Sequence, residues 1–211
     1  MISLNSITAL LIAYLIGSIP TAVWVGKFFY KIDIREYGSG NAGASNTFRI
    51  LGKKAGIPVL IIDMLKGWGA TNLVYFFSIS VQGSVGWVDF QLALGITAVI
   101  GHIFPVYVGF RGGKGIATLF GMLIAVHPEA ALFCVLVFVI LLVLTRYVSL
   151  SSMAAGITFP ILVIFFFHES VPSLILFAIS VAVLILITHQ KNIERLLKGE
   201  ESKANIFRKK V

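Results

Sequence analysis

Charged side chains are scarce in this chain. Asp, Glu, Lys and Arg make up 12% of its 211 residues, whereas hydrophobic residues make up 58% and the mean hydropathy is +0.96. A soluble domain carries about 25% charged and about 45–50% apolar residues, so the scarcity of charge excludes a soluble globular protein. The composition predicts an integral membrane protein, and with no long polar stretch we expect one polytopic domain over residues 1–211.

Cysteines, metal-ligand clusters and nucleotide motifs are also lacking. The one cysteine, Cys134, lies in an apolar run, which excludes an intramolecular disulfide. No group of Cys, His and carboxylate side chains has metal-ligand spacing, so we predict no metal and no other cofactor. A P-loop ATPase is disfavoured because Val108 and Gly115 stand where that motif needs Gly and Ser or Thr. The excess of Lys and Arg, 17 against 9 acidic residues, does not indicate nucleic acid, because membrane proteins collect cations on the cytoplasmic face.

Long apolar runs predict an all-α protein with seven transmembrane helices, since crossing a hydrocarbon core of about 30 Å takes about 20 residues. The runs lie near residues 4–29, 55–79, 90–110, 115–127, 129–146, 149–167 and 171–189. The fourth is short for a full crossing. The first has no basic start and no small-residue cleavage site, so we expect a retained helix rather than a signal peptide.

The distribution of charge predicts the orientation of these spans. With the N-terminus outside, all but one of the seventeen Lys and Arg residues fall at the inner side, and the exception, Lys66, lies within the second span. The outer segments contain no Lys or Arg; their charged residues are Asp89, Glu129 and Glu169. Because Lys and Arg concentrate in short cytoplasmic loops, we expect the N-terminus outside and the C-terminus in the cytoplasm.

Three polar segments interrupt the apolar runs, all on the predicted cytoplasmic side. The first, residues 38–49, contains glycines that allow close backbone approach and ends at Arg49, whose planar guanidinium suits phosphate. Its candidate hydrogen-bonding side chains are Ser39, Asn41, Ser45 and Asn46. Taken alone, such a loop is more often simply solvated. Arg49 and the second polar segment favour phosphate binding instead.

The second polar segment is a doubly basic glycine turn between two apolar runs. Its residues are Arg111, Gly112, Gly113, Lys114 and Gly115. Glycine N–H groups beside cations and a helix start form an anion site. The gathering of cations at the inner face would explain the two basic residues, but it would not require three glycines. We therefore predict a phosphate-binding loop in which Lys114 supplies a point charge.

The third polar segment, residues 189–203, follows the last apolar run. If that helix continues, His189, Asn192 and Leu196 share one face. Histidine ordinarily titrates near neutral pH, which suits a general base or a donor to phosphate. The charges after Asn192 are typical of an interfacial amphipathic helix.

Several polar residues lie within or next to the apolar runs. Asp63 and Lys66 can neutralise each other, and either a structural or a substrate-positioning pair is consistent with their spacing. For His102 we favour a structural role, because the kink at Pro105 frees backbone carbonyls that need donors. Three serines at the start of the sixth span either cap that helix, which we expect, or line a substrate pocket. They are Ser149, Ser151 and Ser152.

Together these motifs resemble the bacterial acyl-phosphate:glycerol-3-phosphate acyltransferase family (PlsY type), over nearly the whole chain. The resemblance rests on GSGNAGASNTFR at 38–49, GHIFPVYVGFRGGKGIAT at 101–118 and HQKNIERLLKGEESK at 189–203. Shorter support comes from YLIGSIP at 14–20, DMLKG at 63–67 and SLSS at 149–152. One departure is Ser45, where the family more often has threonine, and the change keeps the hydroxyl.

The resemblance implies an enzyme of the cell membrane with its active site on the cytoplasmic face. Its substrates would be acyl phosphate and glycerol 3-phosphate, and its products lysophosphatidate and phosphate, in the first step of phospholipid synthesis. It assigns the phosphate loop to residues 112–115 and essential roles to a further set. These are Ser39, Arg49, His189 and Asn192. Its partners would be these substrates and membrane lipid, not nucleic acid.

The mechanism we expect is direct attack by the glycerol hydroxyl on the acyl carbonyl. Ser39 and Asn192 would orient the reacting groups, while the proton would go either to His189 or to an oxygen of the donor phosphate. A carrier or channel for organic phosphates is an alternative, although such proteins place binding groups at the midplane within repeats, and no repeat is visible here. A lipid-binding scaffold without catalysis is a further alternative, which the glycine and basic motifs disfavour.

Overall fold

The computed structural model describes residues 4–204, and the regular structure of this part of the chain is helical, with no strand. The all-α prediction is therefore confirmed. The helices are α1 Leu4–Gly17, α2 Thr21–Tyr30, α3 Ala44–Leu51, α4 Lys53–Thr71, α5 Val74–Phe77, α6 Val85–Ile103, α7 Ile116–Val126, α8 Pro128–Thr145, α9 Val148–Ile161, α10 Pro172–Thr188 and α11 Gln190–Leu197. The chain divides into two compact units, Met1–Pro128 and Glu129–Val211.

By length and composition, the described residues contain four to six candidate membrane spans. Four helical stretches suffice alone: Lys53–Phe77, Val85–Val108, Pro128–Thr145 and Val148–Phe166. Two bent pairs reach the same length, α1 with α2 at 40° and α10 with α11 at 59°. The predicted fourth span is α7, whose 11 residues measure about 16 Å, well short of the hydrocarbon core. Seven spans and the orientation of the termini stay predictions.

In the first unit, α7 lies against α4 at backbone contact distance. A side chain added at Gly67 would clash with the carbonyl oxygen of Thr118, and one added at Gly121 would clash with that of Met64. Small residues at such positions let two membrane helices approach closely, so that backbone and dispersion contacts hold them together. This packing fixes the start of α7, which directly follows the glycine turn.

Two apolar residues hold the loop from residue 31 to residue 43, which leads into the first polar segment, against the helices of the same unit. Ile34 is fully buried and Ala42 nearly so, and both belong to one cluster with residues of α2 and α4. The other members of that cluster are Ala22, Val23 and Val59. The loop from residue 31 to residue 43 is thus polar in composition but fastened to the core at two points.

In the second unit, α9 packs on α10. The rings of Phe159 and Phe177 meet edge to face at 6.2 Å, and Gly156 leaves room for the side chain of Ile185. A π-helical turn, Leu162–Phe166, extends α9. The bend between α10 and α11 occurs at His189, whose backbone has φ −105° and ψ 10°.

Candidate active site

The first polar segment is organised by the buried amide of Asn46, on α3. Its Oδ1 accepts a hydrogen bond from the backbone N–H of Ser39 at 3.0 Å, and its Nδ2 donates to the carbonyls of Ile34 and Tyr37, both at 3.0 Å. Gly38 has φ +62°, and a side chain there would clash with Oδ1. Both N–H donors of Asn46 are used, so phosphate binding by this residue, which stays a prediction, would have to replace one of these bonds.

The remaining predicted residues of this segment are more accessible. Ser39 and Arg49 are exposed and Asn41 is half-buried. Arg49 lies in the last turn of α3, six residues after the N-cap Gly43. The amide of Asn46 therefore holds the backbone of Ser39 in place, while Ser39 and Arg49 themselves stay accessible to solvent.

Arg35, three residues before the first polar segment, binds the backbone at the second polar segment, a role that the sequence analysis missed. Its Nη1 donates to the carbonyl of Val108 at 3.0 Å and to that of Arg111 at 3.4 Å. Asp33 holds the other edge of the guanidinium, at 2.9 and 2.7 Å, and also lies 3.2 Å from Lys27. The hydrogen bonds from Arg35 hold the pKa of Asp33 well below its usual range, and Asp33 raises the pKa of Arg35. The sequence signal that could have indicated this role is the acid–base pair of Asp33 and Arg35, two positions apart in a short polar stretch.

The glycines of the second polar segment are bonded to the end of α6. The N–H of Gly112 donates to the carbonyl of Ile103 at 3.1 Å, and that of Gly113 donates to the carbonyl of His102 at 3.2 Å. A side chain at Gly112 would clash with the His102 carbonyl oxygen. These glycines satisfy carbonyls that a helix end leaves without intrahelical partners. Phosphate binding by the same two N–H groups stays a prediction, and it would require them to exchange a carbonyl for a phosphate oxygen.

The turn then leads into α7 through Lys114 and Gly115. Gly115 has φ +76° and forms the N-cap of α7, whose first intrahelical bond runs from Leu119 N to its carbonyl at 2.7 Å. The first N–H groups of any helix lack intrahelical acceptors and favour anions. Lys114 is half-buried at this helix start and Arg111 is exposed. The geometry is compatible with phosphate held by Lys114.

An ion pair lies within the apolar interior of the first unit. Asp63 Oδ1 is 2.9 Å from Lys66 Nζ and accepts a hydrogen bond from Thr21 Oγ1 at 3.0 Å. Lys66 also donates to the carbonyl of Ile19 at 2.8 Å. Both charged side chains are almost completely buried. They connect α4 to the break between α1 and α2, which is compatible with the structural alternative and does not test the substrate-positioning one.

The ring of His102 bonds within this interior rather than to the carbonyls freed by the proline. Its Nδ1 lies 3.0 Å from Thr118 Oγ1 and 3.8 Å from Asp63 Oδ1. The carbonyl of Phe104, just before Pro105, accepts from the hydroxyl of Tyr14 at 2.8 Å. The donors at the kink are thus a tyrosine and the loop glycines.

In the second unit, His189 lies at the bend between α10 and α11 and is buried. Its Nδ1 is 2.9 Å from the carbonyl oxygen of Ile185. A carbonyl only accepts hydrogen bonds, so Nδ1 carries the proton and the basic lone pair of the neutral ring is on Nε2. This arrangement is compatible with a general base, a role that stays a prediction.

Glu201 orients Asn192, which the sequence analysis also missed. Its Oε1 accepts from Asn192 Nδ2 and from Ser149 Oγ, and its Oε2 accepts from Arg195 Nε, each at 2.7 Å. Burial raises the pKa of Glu201, but the bonds from Arg195, Ser149 and Asn192 outweigh it, so the net pKa is lowered. With Nδ2 held by the carboxylate, the amide of Asn192 has one fixed orientation.

The serines at the start of α9 do not cap it. Tyr147 occupies the N-cap, and no side chain of residues 4–204 caps the helix. Ser149 binds Glu201, whereas the hydroxyls of Ser151 and Ser152 donate to carbonyls four residues earlier, at 2.8 and 2.9 Å. The capping prediction is wrong because the hydroxyls find acceptors within the helix and in the C-terminal segment. Contact of Ser152 with substrate stays a prediction.

Within residues 4–204, no group of three or more His, Cys, Asp or Glu side chains is arranged to hold a metal ion.

Comparisons with known proteins agree over most of the chain. The family model described as glycerol-3-phosphate acyltransferase matches residues 7–199. A glycerol-3-phosphate acyltransferase of Enterococcus faecalis is 45% identical over 202 residues, covering 92% of this chain and 89% of the relative. One of Listeria monocytogenes is 44% identical over 201 residues, covering 95% and 98%.

Two crystal structures of PlsY, an integral membrane glycerol 3-phosphate acyltransferase, are also similar. The glycerol 3-phosphate form has a TM-score of 0.82 and 38% identity, covering 95% of this chain and 96% of that one. The lysophosphatidic acid form has a TM-score of 0.76 and 40% identity, covering 94% of each chain.

Proposed function

Because this chain belongs to the glycerol-3-phosphate acyltransferase family, we propose that it transfers a fatty acyl group from acyl phosphate to the 1-hydroxyl of sn-glycerol 3-phosphate. The products are lysophosphatidate and phosphate, in the first step of membrane phospholipid synthesis. One observation carries this proposal: the similar PlsY structures are a glycerol 3-phosphate form and a lysophosphatidic acid form. These two molecules differ by one acyl group, as the acceptor and the product of a single transfer must.

The choice of acyl phosphate as donor is supported by the chemistry of the residues. Both proposed substrates carry phosphate, and the first unit has two glycine-containing polar segments that carry cations. The first segment ends at Arg49, and the second contains Lys114. An acyl phosphate is a mixed anhydride with a good leaving group, so the reaction needs no acyl-enzyme and no cofactor. Holding acceptor and donor in reactive geometry contributes about 7–11 kcal/mol in well-oriented model reactions.

In the proposed step, the glycerol oxygen attacks the acyl carbonyl carbon, the new ester bond forms, and the bond to the phosphate oxygen breaks. Arg49 and Lys114 bind phosphate, while Ser39 and Asn192 orient the reacting groups. The proton leaves to Nε2 of His189, which the hydrogen bond from Nδ1 to the Ile185 carbonyl supports, or to the departing phosphate. Further contacts with phosphate or glycerol come from a second set of residues: Asn41, Asn46, Arg111, Gly112, Gly113, Gly115 and Ser152.

We place the protein in the cell membrane with seven spans and the active site on the cytoplasmic face. The four to six candidate spans support a multi-pass membrane protein, and the outer segments without Lys or Arg support the orientation. Labelling of single cysteines introduced at residues 82 and 110 from each side of sealed vesicles tests it. Reactivity of both positions from the same side would overturn the topology.

The activity is tested with purified protein, palmitoyl phosphate and labelled glycerol 3-phosphate. We expect labelled lysophosphatidate and phosphate in equal amounts. Palmitoyl-CoA in place of palmitoyl phosphate is the matched control. If lysophosphatidate formed from palmitoyl-CoA but not from palmitoyl phosphate, the proposal that acyl phosphate is the donor would be wrong. Uptake of glycerol 3-phosphate into vesicles without formation of lysophosphatidate would instead identify a carrier.

A further inference from the structure

His102 contacts the chain on both sides of Lys114. On one side, its carbonyl accepts the N–H of Gly113 at 3.2 Å, and a side chain at Gly113 would clash with its ring nitrogen Nε2. On the other side, its Nδ1 lies 3.0 Å from the hydroxyl of Thr118, in the first turn of α7. His102 therefore contacts both sides of Lys114: its backbone carbonyl holds Gly113, against which its ring also packs, and its imidazole holds Thr118 in the first turn of α7.

The imidazole is itself braced from α4. Asp63 Oδ1 lies 3.8 Å from His102 Nδ1. It also accepts a hydrogen bond from Thr21 Oγ1 and forms an ion pair with Lys66 Nζ. Thr118, His102 and Asp63 are each at least nine-tenths buried, so the arrangement is held in a dry interior. A hydrogen bond there is costly to break, because an unpaired group has no water to turn to.

We propose that His102 is a positioning residue, which uses its bonds to Gly113 and Thr118 to hold Lys114 where it binds substrate phosphate. The inference rests on the proposed function. It adds a role in substrate binding for His102, Thr118 and Asp63, which otherwise serve packing. Where the Lys114 side chain starts is set by the backbone of the glycine turn, and the contacts of His102 fix that backbone on both sides of Lys114. Removing one of the two fastenings therefore weakens phosphate binding while the chemical step keeps its own groups.

The test is the substitution Thr118→Val, which removes the hydroxyl without opening a cavity. Steady-state kinetics with palmitoyl phosphate and glycerol 3-phosphate should show the KM of one phosphorylated substrate raised about fivefold, with kcat within about twofold of wild type. That change equals about 1 kcal/mol at 1.4 kcal/mol per factor of ten. Thr118→Ser keeps the hydroxyl and should restore the wild-type KM.

Thr71→Val is the matched control. Thr71 is as fully buried as Thr118, and its hydroxyl donates to the carbonyl of Gly67 at 2.8 Å, within α4. It should lower the melting temperature as much as Thr118→Val does, with no change in either KM. A second variant, His102→Asn, removes the ring that contacts Gly113 and should raise the same KM; it decides the matter if Thr118→Val does not fold.

The inference is overturned if Thr118→Val, or His102→Asn in its place, lowers stability and leaves both KM values unchanged. It is equally overturned if Thr71→Val raises the same KM. Wild-type protein that makes no lysophosphatidate would instead refute the proposed function, so the two failures are distinguishable.

Discussion

The carboxylate of Glu201 holds Asn192, and its replacement by glutamine is a sharp test of that role. Gln has the same shape but no charge, and one of its two terminal atoms is a donor. Oε1 accepts from two donors and Oε2 accepts from Arg195. Whichever way the new amide turns, its NH₂ group faces at least one N–H or O–H, so at least one of the three bonds is lost.

The expected magnitude follows from the type of bond. Hydrogen bonds that involve a charged group contribute about 1.5–3 kcal/mol, and the side chain of Glu201 is only 5% exposed, although Arg195 is 38% exposed. If the lost hydrogen-bond energy is energy that kept Asn192 in its reactive orientation, Glu201→Gln lowers kcat by about 10- to 100-fold, since each factor of ten corresponds to about 1.4 kcal/mol. The KM values change less, because the phosphate-binding cations are untouched.

The assay is phosphate release at saturating substrates, beside a melting curve for each variant. Arg195→Gln is the control, since it removes the charge partner and leaves the bond between Glu201 and Asn192 intact. It should therefore cost stability and little kcat. If the two variants lose kcat equally, Glu201 acts on stability alone and the orientation argument is wrong.

The pH dependence of stability supplies an independent check. The pKa of Glu201 is lowered in the folded state, so the unfolded chain takes up the proton first as pH falls. The contribution of Glu201 is complete above the ordinary glutamate pKa and is lost as pH falls through the lowered value. The difference in melting temperature between wild type and Glu201→Gln should therefore shrink below about pH 4 and stay constant above pH 6. A difference that grows on acidification would contradict it.

Three further predictions concern single residues. His189→Ala should lower kcat by about 10²- to 10⁴-fold if Nε2 takes the proton; turnover near that of wild type would assign the proton to the donor phosphate. Arg35→Lys keeps the charge but cannot reach Asp33 and Val108 together, so the KM for glycerol 3-phosphate should rise several-fold, whereas an unchanged KM would mean that the two polar segments are positioned independently. Asn46→Asp removes the N–H donor from the buried carbonyl of Ile34, which should cost about 1–3 kcal/mol and show as a lower melting temperature; an unchanged melting temperature would show that this carbonyl finds another donor.

The helices were predictable where hydropathy alone decides their ends. The predicted run 129–146 is α8, Pro128–Thr145, and 149–167 is α9 with its π turn, ending at Phe166. The first run, 4–29, is interrupted, because Pro20 lacks an N–H and α2 begins after it. The predicted run from 90 begins at Val85, because Ser84 accepts from Trp87 N and caps the helix five residues earlier.

The candidate site residues could be named from the sequence, but their contacts could not. Ser39, Lys114, His189 and Asn192 were named because they lie in the polar segments and match the motifs of the family that the chain resembles; their roles stay predictions. Glu201 meets Ser149 across 52 positions of sequence, and such a distance carries no local periodicity from which the contact could be inferred. The burial of Asn46 could likewise not be predicted, because the sequence around it would be the same whether its side chain were buried or exposed.

The glycine turn shows why residue type and role separate. Gly112 and Gly113 were predicted from their freedom to present N–H groups to an anion, and the same property lets them approach α6 and satisfy its last carbonyls. A substitution by alanine at Gly112 would drive a Cβ into the His102 carbonyl, so that variant should lose activity for a packing reason whether or not phosphate contacts the loop. Phosphate binding is therefore better tested at Lys114, where Lys114→Met removes the ammonium and keeps the aliphatic stem. We expect a rise in the KM of a phosphorylated substrate, and unchanged KM values would mean that Lys114 does not bind the substrate phosphate.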